Sequence, residues 1–272
     1  MRADNDVTRI ITTMPEVQEL LRTADAIYHK GWAERNGGNL SRLLILPNEP
    51  DFYVQREFPL TIDVPENLLG QLVIITGSGV YLKNVMREPE ASLALLRIRP
   101  DRAELLWGLS GTFDRPSSEL AAHLLSHGVR LAADPSHRVL VHTHATNAVA
   151  MSAVVPLDER EFTLKLWRQC TEAVMFLYDG VAVLPWMPCG TAEIGLRTAD
   201  KLADRRAVIW ARHGVFASGA SADEALGLVE IIDKAAELYL KIAHLPVTFE
   251  LSDEQLREMS ALLGLTVREG YV

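Results

Sequence analysis

Short apolar runs set between amphipathic segments are the feature that most constrains what this chain can fold into. The runs Leu72–Ile75, Val139–Val141 and Ala207–Trp210 have the length and the flanking residues of buried strands. Around them, apolar side chains recur at helical spacing, as in residues 15–35 and 221–263. Strands that alternate with helices along a whole chain indicate an α/β fold in which helices cover a sheet.

The sheet is predicted to be mixed rather than purely parallel. Asp179-Gly180 is a turn pair typical of a hairpin, and strands are predicted on either side of it, near 173–178 and 180–184. A hairpin beside isolated strands combines antiparallel with parallel pairing.

The chain is predicted to form one domain over residues 1–272, with two smaller domains as the alternative. It contains no internal repeat and no low-complexity linker, and a chain of this length buries roughly three quarters of its unfolded surface. Within that domain we expect an N-terminal helix at 15–35, a Pro- and charge-rich excursion at 47–67 and C-terminal helices within 221–263.

The charge balance excludes two classes of partner. Lys and Arg number 27 against 36 Asp and Glu, which gives a formal net charge of −9, and no run of five basic residues is present. Nucleic acid and anionic membranes repel such a chain. No stretch approaches the apolar length of a membrane span, and Cys170 and Cys189 lack CxxC spacing. We therefore expect a reduced, cytoplasmic protein.

Three of the 8 histidines are candidates for a metal site. His142 and His144 alternate along a predicted strand, so they share a face at a backbone spacing of roughly 7 Å. Such a pair either binds one ion or is a hydrogen-bonded structural pair. His213 follows the buried strand that ends at Trp210 and would complete a three-histidine set with one open position, the pattern of a catalytic zinc site.

The remaining histidines are expected to be structural or solvated. His123 and His127 lie one helical turn apart in the segment HLLSH, which lacks the glutamate of an HExxH motif. Buried hydrogen bonding is favoured for this pair over metal binding. His29, His137 and His244 lie near predicted helix ends in polar surroundings, where solvated side chains are expected.

Three turns could hold an anion. They are Thr76-Gly77-Ser78-Gly79, Asn36-Gly37-Gly38-Asn39 and Pro116-Ser117-Ser118-Glu119, the last of which is predicted to open a helix. An ordinary turn, a helix end and a serine cap are the structural alternatives. Backbone N–H groups, hydroxyls and a helix N-terminus could instead bind a phosphate and place Glu119 as a carboxylate base.

The sequence offers little support for catalysis by a serine, cysteine or lysine side chain. The sequence has no GxSxG motif, and neither cysteine has a neighbouring histidine. The lysines lie on polar helix faces or in loops, whereas a Schiff-base lysine is desolvated. A metal Lewis acid is therefore the favoured electrophile.

Read in order, eight segments resemble the class II aldolase/adducin family, most closely its branch that cleaves L-rhamnulose 1-phosphate. They are GWAERNGGNL, VIITGSGVYLKN, LLWGL, PSSELAAHLLSH, VLVHTHATN, DGVAVLPWM, TAEIG and RHGVFASG. The resemblance extends over roughly residues 15–245, and the final 25 residues match poorly. Ser117 stands where threonine is usual, and Ala121 stands where proline is usual.

The resemblance implies a three-layer αβα domain around a mixed, mostly antiparallel sheet, a homotetramer and one catalytic Zn²⁺ per subunit. It also implies a role for each matching residue. His142, His144 and His213 match the zinc ligands, and Glu119 and Glu172 match catalytic carboxylates, the second across a subunit boundary. The positions that contact a ketose 1-phosphate are matched by Asn36, Gly37, Asn39, Ser78, Gly79, Ser117 and Ser118.

Several activities of this family remain open at this point. L-Fuculose-phosphate aldolase and L-ribulose-5-phosphate 4-epimerase share the zinc site and differ in contacts to the distal carbons. A non-catalytic, adducin-like interaction domain is a further alternative, which retention of the three histidines and Glu119 disfavours.

Overall fold

A computed structural model describes residues 2–46, 52–112 and 114–272. The strands of these residues form one nine-stranded sheet. They are β1 (Asn39–Leu44), β2 (Arg56–Pro59), β3 (Leu72–Thr76), β4 (Leu93–Ile98), β5 (Arg102–Gly108), β6 (Val139–Thr143), β7 (Ala182–Leu184), β8 (Ala207–Trp210) and β9 (Gly214–Gly219).

The sheet is mixed and mostly antiparallel, as predicted. Its strand order is β2-β5-β4-β3-β1-β6-β9-β8-β7. Every neighbouring pair is antiparallel except β7 and β8, which are parallel. β1 and β6 therefore lie side by side near the middle, and β9 flanks β6 on its other side.

The helices of the described residues cover both faces of this sheet. They are α1 (Arg2–Thr13), α2 (Pro15–His29), α3 (Leu82–Val85), α4 (Pro89–Ser92), α5 (Leu120–Ala133), α6 (Thr146–Met151), α7 (Glu159–Trp167), α8 (Thr171–Phe176), α9 (Ala192–Leu202), α10 (Ala222–Ile242) and α11 (Asp253–Leu262). None of them is long and apolar enough to span a membrane.

Alternation along β6 shows how the three layers form. Val139 and Val141 pack into the apolar cluster that contains α2, α6, α7 and α10. Leu140 faces the opposite side and packs with α9 and with Ala122 of α5. Because successive strand side chains point to opposite faces, His142 lies on the same side as Leu140. The predicted αβα layering is confirmed.

The predicted hairpin at Asp179-Gly180 is wrong. The segment before it is helix α8, in which Ala173 and Val174 are buried, followed by the buried C-cap residue Leu177, at helical rather than alternating spacing. β7, which follows, pairs in parallel with β8. The Asp179 carboxylate accepts 2.8 Å hydrogen bonds from the backbone and the guanidinium of Arg206, which ties this loop to the start of β8.

Several predicted boundaries also shift. The N-terminal helix ends at His29 rather than at 35, because Gly31 adopts a φ of +73° and turns the chain. The helix predicted from Pro116 begins at Leu120. The excursion predicted at 47–67 contains β2, and its residues 47–51 lie outside the described residues.

His137 is not solvated as predicted. Its side chain is buried and its Nδ1 lies 3.0 Å from the Ser218 hydroxyl on β9. Burial is the largest cause that lowers the pKa of His137, followed by the nearby charge of Arg130. His29 and His244 are exposed, as expected.

Gly108 should be indispensable to the β4–β5 pairing. Its φ is +98°, and a Cβ built there would lie 1.9 Å from the Leu93 carbonyl oxygen. We predict that Gly108→Ala lowers the free energy of unfolding by at least about 3 kcal/mol, measured by urea denaturation.

Gly227 provides the matched control for that substitution. It lies within α10, and a Cβ there meets no atom within 4 Å. Gly227→Ala should raise the free energy of unfolding by about 0.5–1 kcal/mol, because alanine loses less backbone entropy in a helix. Equal changes in the free energy of unfolding for the two substitutions would contradict the steric requirement for glycine at position 108.

Candidate metal centre and substrate pocket

Three adjacent strands bring the candidate site together. In the antiparallel register, Asn39 at the start of β1 lies opposite His142 near the end of β6, and His142 lies opposite Phe216 of β9. His213 lies in the tight turn between β8 and β9, where its N–H donates to the Trp210 carbonyl. Arg212 in that turn has a φ of +64°, a left-handed conformation held by its N–H bond to Ser152 Oγ.

The structure brings the three candidate histidines together. One ring nitrogen from each of His142, His144 and His213 lies within 4.8 Å of those of the other two. The ring centroids are 5.3 Å apart for His142 and His144, and 4.9 Å apart for His142 and His213. This three-histidine cluster is the one group of metal-binding side chains that the described residues assemble.

His142 has the protonation state that a metal ligand requires. Its Nδ1 lies 3.1 Å from the Val215 carbonyl oxygen, which can only accept, so Nδ1 carries the proton. Its Nε2 is buried without a hydrogen-bond partner among the described residues. Burial, with the neighbouring His144, lowers the pKa of His142 to about 3. The ring is neutral, and its free lone pair points into the cluster.

His144 is oriented by a carboxylate that the sequence analysis did not identify. Its Nδ1 lies 2.6 Å from Glu34 Oε1, which leaves Nε2 for the cluster. Burial, the largest single cause, would raise the pKa of the Glu34 carboxyl, but the hydrogen bond with His144 and smaller contributions from its own backbone and the neighbouring histidines together lower it. Gly37 packs so closely that a Cβ there would lie 2.7 Å from the His144 ring. A carboxylate behind a histidine is the usual outer support of a metal ligand.

Glu119 completes the polar surroundings of the cluster. Its carboxylate is buried, lies 3.6 Å from His142 Nε2 and 3.9 Å from His213 Nε2, and accepts a 2.7 Å hydrogen bond from Asn39 Nδ2. Burial, followed by the neighbouring His142, lowers the pKa of His213 to about 4 although Glu119 opposes this. A carboxylate therefore faces two neutral imidazoles across a small gap.

The cluster forms part of one pocket of about 180 Å³. The pocket, called the candidate pocket below, is lined by Asn36, Gly37, Gly38, Asn39, Gly77, Ser78, Gly79, Ser117, Ser118, Glu119, His142, His144, Cys189 and His213. Every site residue predicted from the sequence is among them except Glu172. Gly38 and Gly77 lie in the two glycine-bearing turns that the sequence offered as anion sites, and Cys189 was not predicted.

Two loops of this pocket are joined by backbone hydrogen bonds. The Ser78 N–H donates to the Arg115 carbonyl and the Ser117 N–H donates to the Thr76 carbonyl. Ser117 Oγ accepts the Glu119 N–H at 3.2 Å, so the hydroxyl caps the turn before α5. The loops that contain Ser78 and Ser117 are thereby held on the same side of the pocket.

Glu172 and the second histidine pair lie elsewhere. Glu172 is exposed on α8 and does not line the candidate pocket. His123 and His127 are fully buried on α5, and each lies within hydrogen-bond distance of Ser41 Oγ, at 2.6 and 2.8 Å.

A family model described as the class II aldolase and adducin N-terminal domain matches residues 18–240. The chain belongs to the class II aldolase and adducin family. Curated relatives include a protein of Listeria welshimeri, 42% identical over 95% of each chain, and one of Enterococcus faecalis, 42% identical over 95% of this chain and 94% of the relative. Both are named rhamnulose-1-phosphate aldolase.

Solved structures of this family share the fold. A sugar-phosphate aldolase from Thermotoga maritima superposes with a TM-score of 0.74 at 28% identity, over 85% of this chain and 96% of that one. An L-fuculose 1-phosphate aldolase superposes with a TM-score of 0.60 at 21% identity, over 91% of this chain and 95% of that one. Both solved structures therefore share the fold of this chain.

Glu34 should support metal binding through His144. We predict that Glu34→Ala weakens zinc affinity about 10–100-fold, because the His144 ring loses the partner that fixes its orientation. Competition with a zinc chelator would measure the affinity.

Glu34→Gln is the matched variant for this test. Its amide oxygen can still accept from His144 Nδ1, so its loss of affinity should be smaller. If Glu34→Ala binds zinc as tightly as the unchanged chain does, Glu34 does not support metal binding through His144.

Proposed function

We propose that this chain is a zinc-dependent class II aldolase that cleaves L-rhamnulose 1-phosphate reversibly to dihydroxyacetone phosphate and L-lactaldehyde. The proposal includes a single-domain subunit, a cytoplasmic homotetramer and one Zn²⁺ per subunit. The observation that carries it is the three-histidine cluster beside a buried carboxylate in one pocket. The names of the relatives at 42% identity support the choice of substrate.

The cluster fits a zinc ion. It offers three imidazoles, one of them with a buried, unpartnered Nε2, and this is the donor set of a catalytic zinc site with an open position. Bound zinc would polarise the ketose carbonyl and stabilise negative charge on its oxygen. His142, His144 and His213 would hold the ion, and the neutral state of His142 and His213 at pH 7 leaves their lone pairs available.

The glycine- and serine-rich walls of the pocket would hold the phosphate and the hydroxyls of the ketose. Those residues are Asn36, Gly37, Asn39, Ser78, Gly79, Ser117 and Ser118, all of which line the pocket. Backbone N–H groups and hydroxyls can bind a phosphate monoester without a basic side chain. The net charge of −9 therefore disfavours polyanions without excluding a sugar phosphate.

Glu119 would carry the proton. In the cleavage direction the carboxylate would take up the proton that the carbon 4 hydroxyl loses as the bond between carbons 3 and 4 breaks, and would deliver it to carbon 3 of the released three-carbon product. In the condensation direction it would remove the proton from carbon 3 and return it to the oxygen on carbon 4. Its burial and its hydrogen bond from Asn39 Nδ2 fix the carboxylate beside the cluster. Glu172 would act as a second carboxylate donated by a neighbouring subunit, which is consistent with its exposed position on α8.

The activity is tested by comparing aldol cleavage of L-rhamnulose 1-phosphate and L-fuculose 1-phosphate, with and without a chelator. We predict faster cleavage of the rhamnulose ester, loss of activity with the chelator and recovery with added Zn²⁺. Activity that survives the chelator, together with an enzyme–substrate adduct that borohydride traps, would instead indicate a lysine-dependent aldolase. Faster cleavage of the fuculose ester would reassign the substrate.

Glu119 should affect turnover and not metal content. We predict that Glu119→Gln lowers kcat at least about 100-fold while the protein retains one zinc per chain, because the amide cannot exchange the proton. Metal analysis of the purified variant is the control. Loss of zinc from the variant would place Glu119 among the ligands.

A further inference from the structure

A buried chain of hydrogen bonds extends from Glu119 away from the pocket. Asn39 Nδ2 donates to Glu119, and Asn39 Oδ1 lies 2.5 Å from His123 Nε2. His123 Nδ1 lies 2.6 Å from Ser41 Oγ, which also lies 2.8 Å from His127 Nε2. These five residues are called the Ser41 relay below. Two of them, Glu119 and Asn39, line the candidate pocket, whereas the other three lie behind it.

The protons of the Ser41 relay can be assigned one bond at a time, starting from Glu119 and ending at His127. The Asn39 amide places its NH₂ group 2.7 Å from Glu119 Oε2 and its oxygen, which can only accept, toward His123 Nε2. His123 Nε2 must then carry the proton and Nδ1 must accept from the Ser41 hydroxyl. Since that hydroxyl has one proton, its oxygen accepts from His127 Nε2. In each of the four hydrogen bonds, the acceptor therefore lies on the side of Glu119 and the donor on the side of His127.

Burial is consistent with this assignment. Ser41 and the two histidines are fully buried. Burial lowers the pKa of His123 well below its usual value, as does the neighbouring His127, and lowers that of His127 to about 3. Each ring therefore carries one proton. The unprotonated Nδ1 of His127 is the atom without a partner among the described residues, which ends the chain there.

We propose that Ser41, His123 and His127 are positioning residues that fix the Asn39 amide with its NH₂ group toward Glu119 and so hold this carboxylate for proton transfer. The inference rests on the aldolase function proposed above. Without the Ser41 proton, His123 has no donor at Nδ1, and its tautomer is no longer fixed. If Nδ1 takes the ring proton, His123 Nε2 no longer donates to Asn39 Oδ1 and would itself accept from the Asn39 NH₂ group, which draws that group away from Glu119.

The test compares two buried serines. Ser41→Ala removes the hydroxyl of the relay, whereas Ser218→Ala removes an equally buried hydroxyl that contacts His137 outside the pocket. We expect Ser41→Ala to lower kcat about tenfold, as loss of a hydrogen bond coupled to a charged group does, with KM changed by less than about threefold and zinc content unchanged. Ser218→Ala should keep the original kcat.

Thermal unfolding of both variants controls for stability, and Ser41→Thr tests rescue. The threonine retains the donor and should restore most of the lost kcat. The proposal is overturned if folded Ser41→Ala has the original kcat, if its loss is no larger than that of Ser218→Ala, or if its loss parallels a loss of zinc. A folded Ser41→Thr as slow as the alanine variant would also overturn it.

A measurement on the unchanged protein does not depend on activity or on the folding of a variant. The ¹⁵N shifts of the imidazoles should show the Nε2–H tautomer for both His123 and His127. An Nδ1–H tautomer of His123 would overturn the relay even in an active enzyme. An unchanged chain that cleaves neither sugar phosphate would refute the proposed function, while the tautomers still decide the direction of the relay.

Discussion

The register of β6 between β1 and β9 is the constraint on which the candidate site depends. It sets Asn39 opposite His142, and His142 opposite Phe216. Val139 and Val141 on one face and Leu140 on the other fix that register through burial. A shift of one residue would move His142 to the opposite face of the sheet, away from α5 and Glu119. The packing of the core thus decides which side chains meet in the pocket.

Local patterns predicted the fold where the burial was unambiguous. The apolar strands β3, β6 and β8 and the long helix α10 lie where the sequence indicated. The prediction was wrong where long-range contacts determine the structure. Asp179 does not close a hairpin, because its carboxylate accepts a hydrogen bond from the Arg206 backbone. β2, β4 and β9 were not predicted as strands, and the glycines at both ends of β9 make that short strand resemble a loop.

The site residues could be predicted mainly because eight motifs occur in a recognisable order along the chain. Alternation in HTH placed His142 and His144 on one face, but no spacing rule could say that His213 would join them, because it comes from the β8–β9 turn. Glu34 gave no signal of its own, since a single exposed glutamate after a helix is ordinary. The Ser41 relay was likewise hidden, because its partners are 80 or more residues apart along the chain. Contacts between β1 and α5 create the relay, and the contact between the loop after α2 and His144 creates the support by Glu34.

We propose that His142, His144 and His213 hold one catalytic zinc beside Glu119. X-ray absorption spectroscopy on the protein reconstituted with zinc tests it most directly, because it counts the ligand atoms around the ion. The structure predicts one zinc per chain with three imidazole nitrogens at about 2.0–2.1 Å. A zinc shell that contains sulfur from Cys189, or fewer than three imidazoles, would contradict this account.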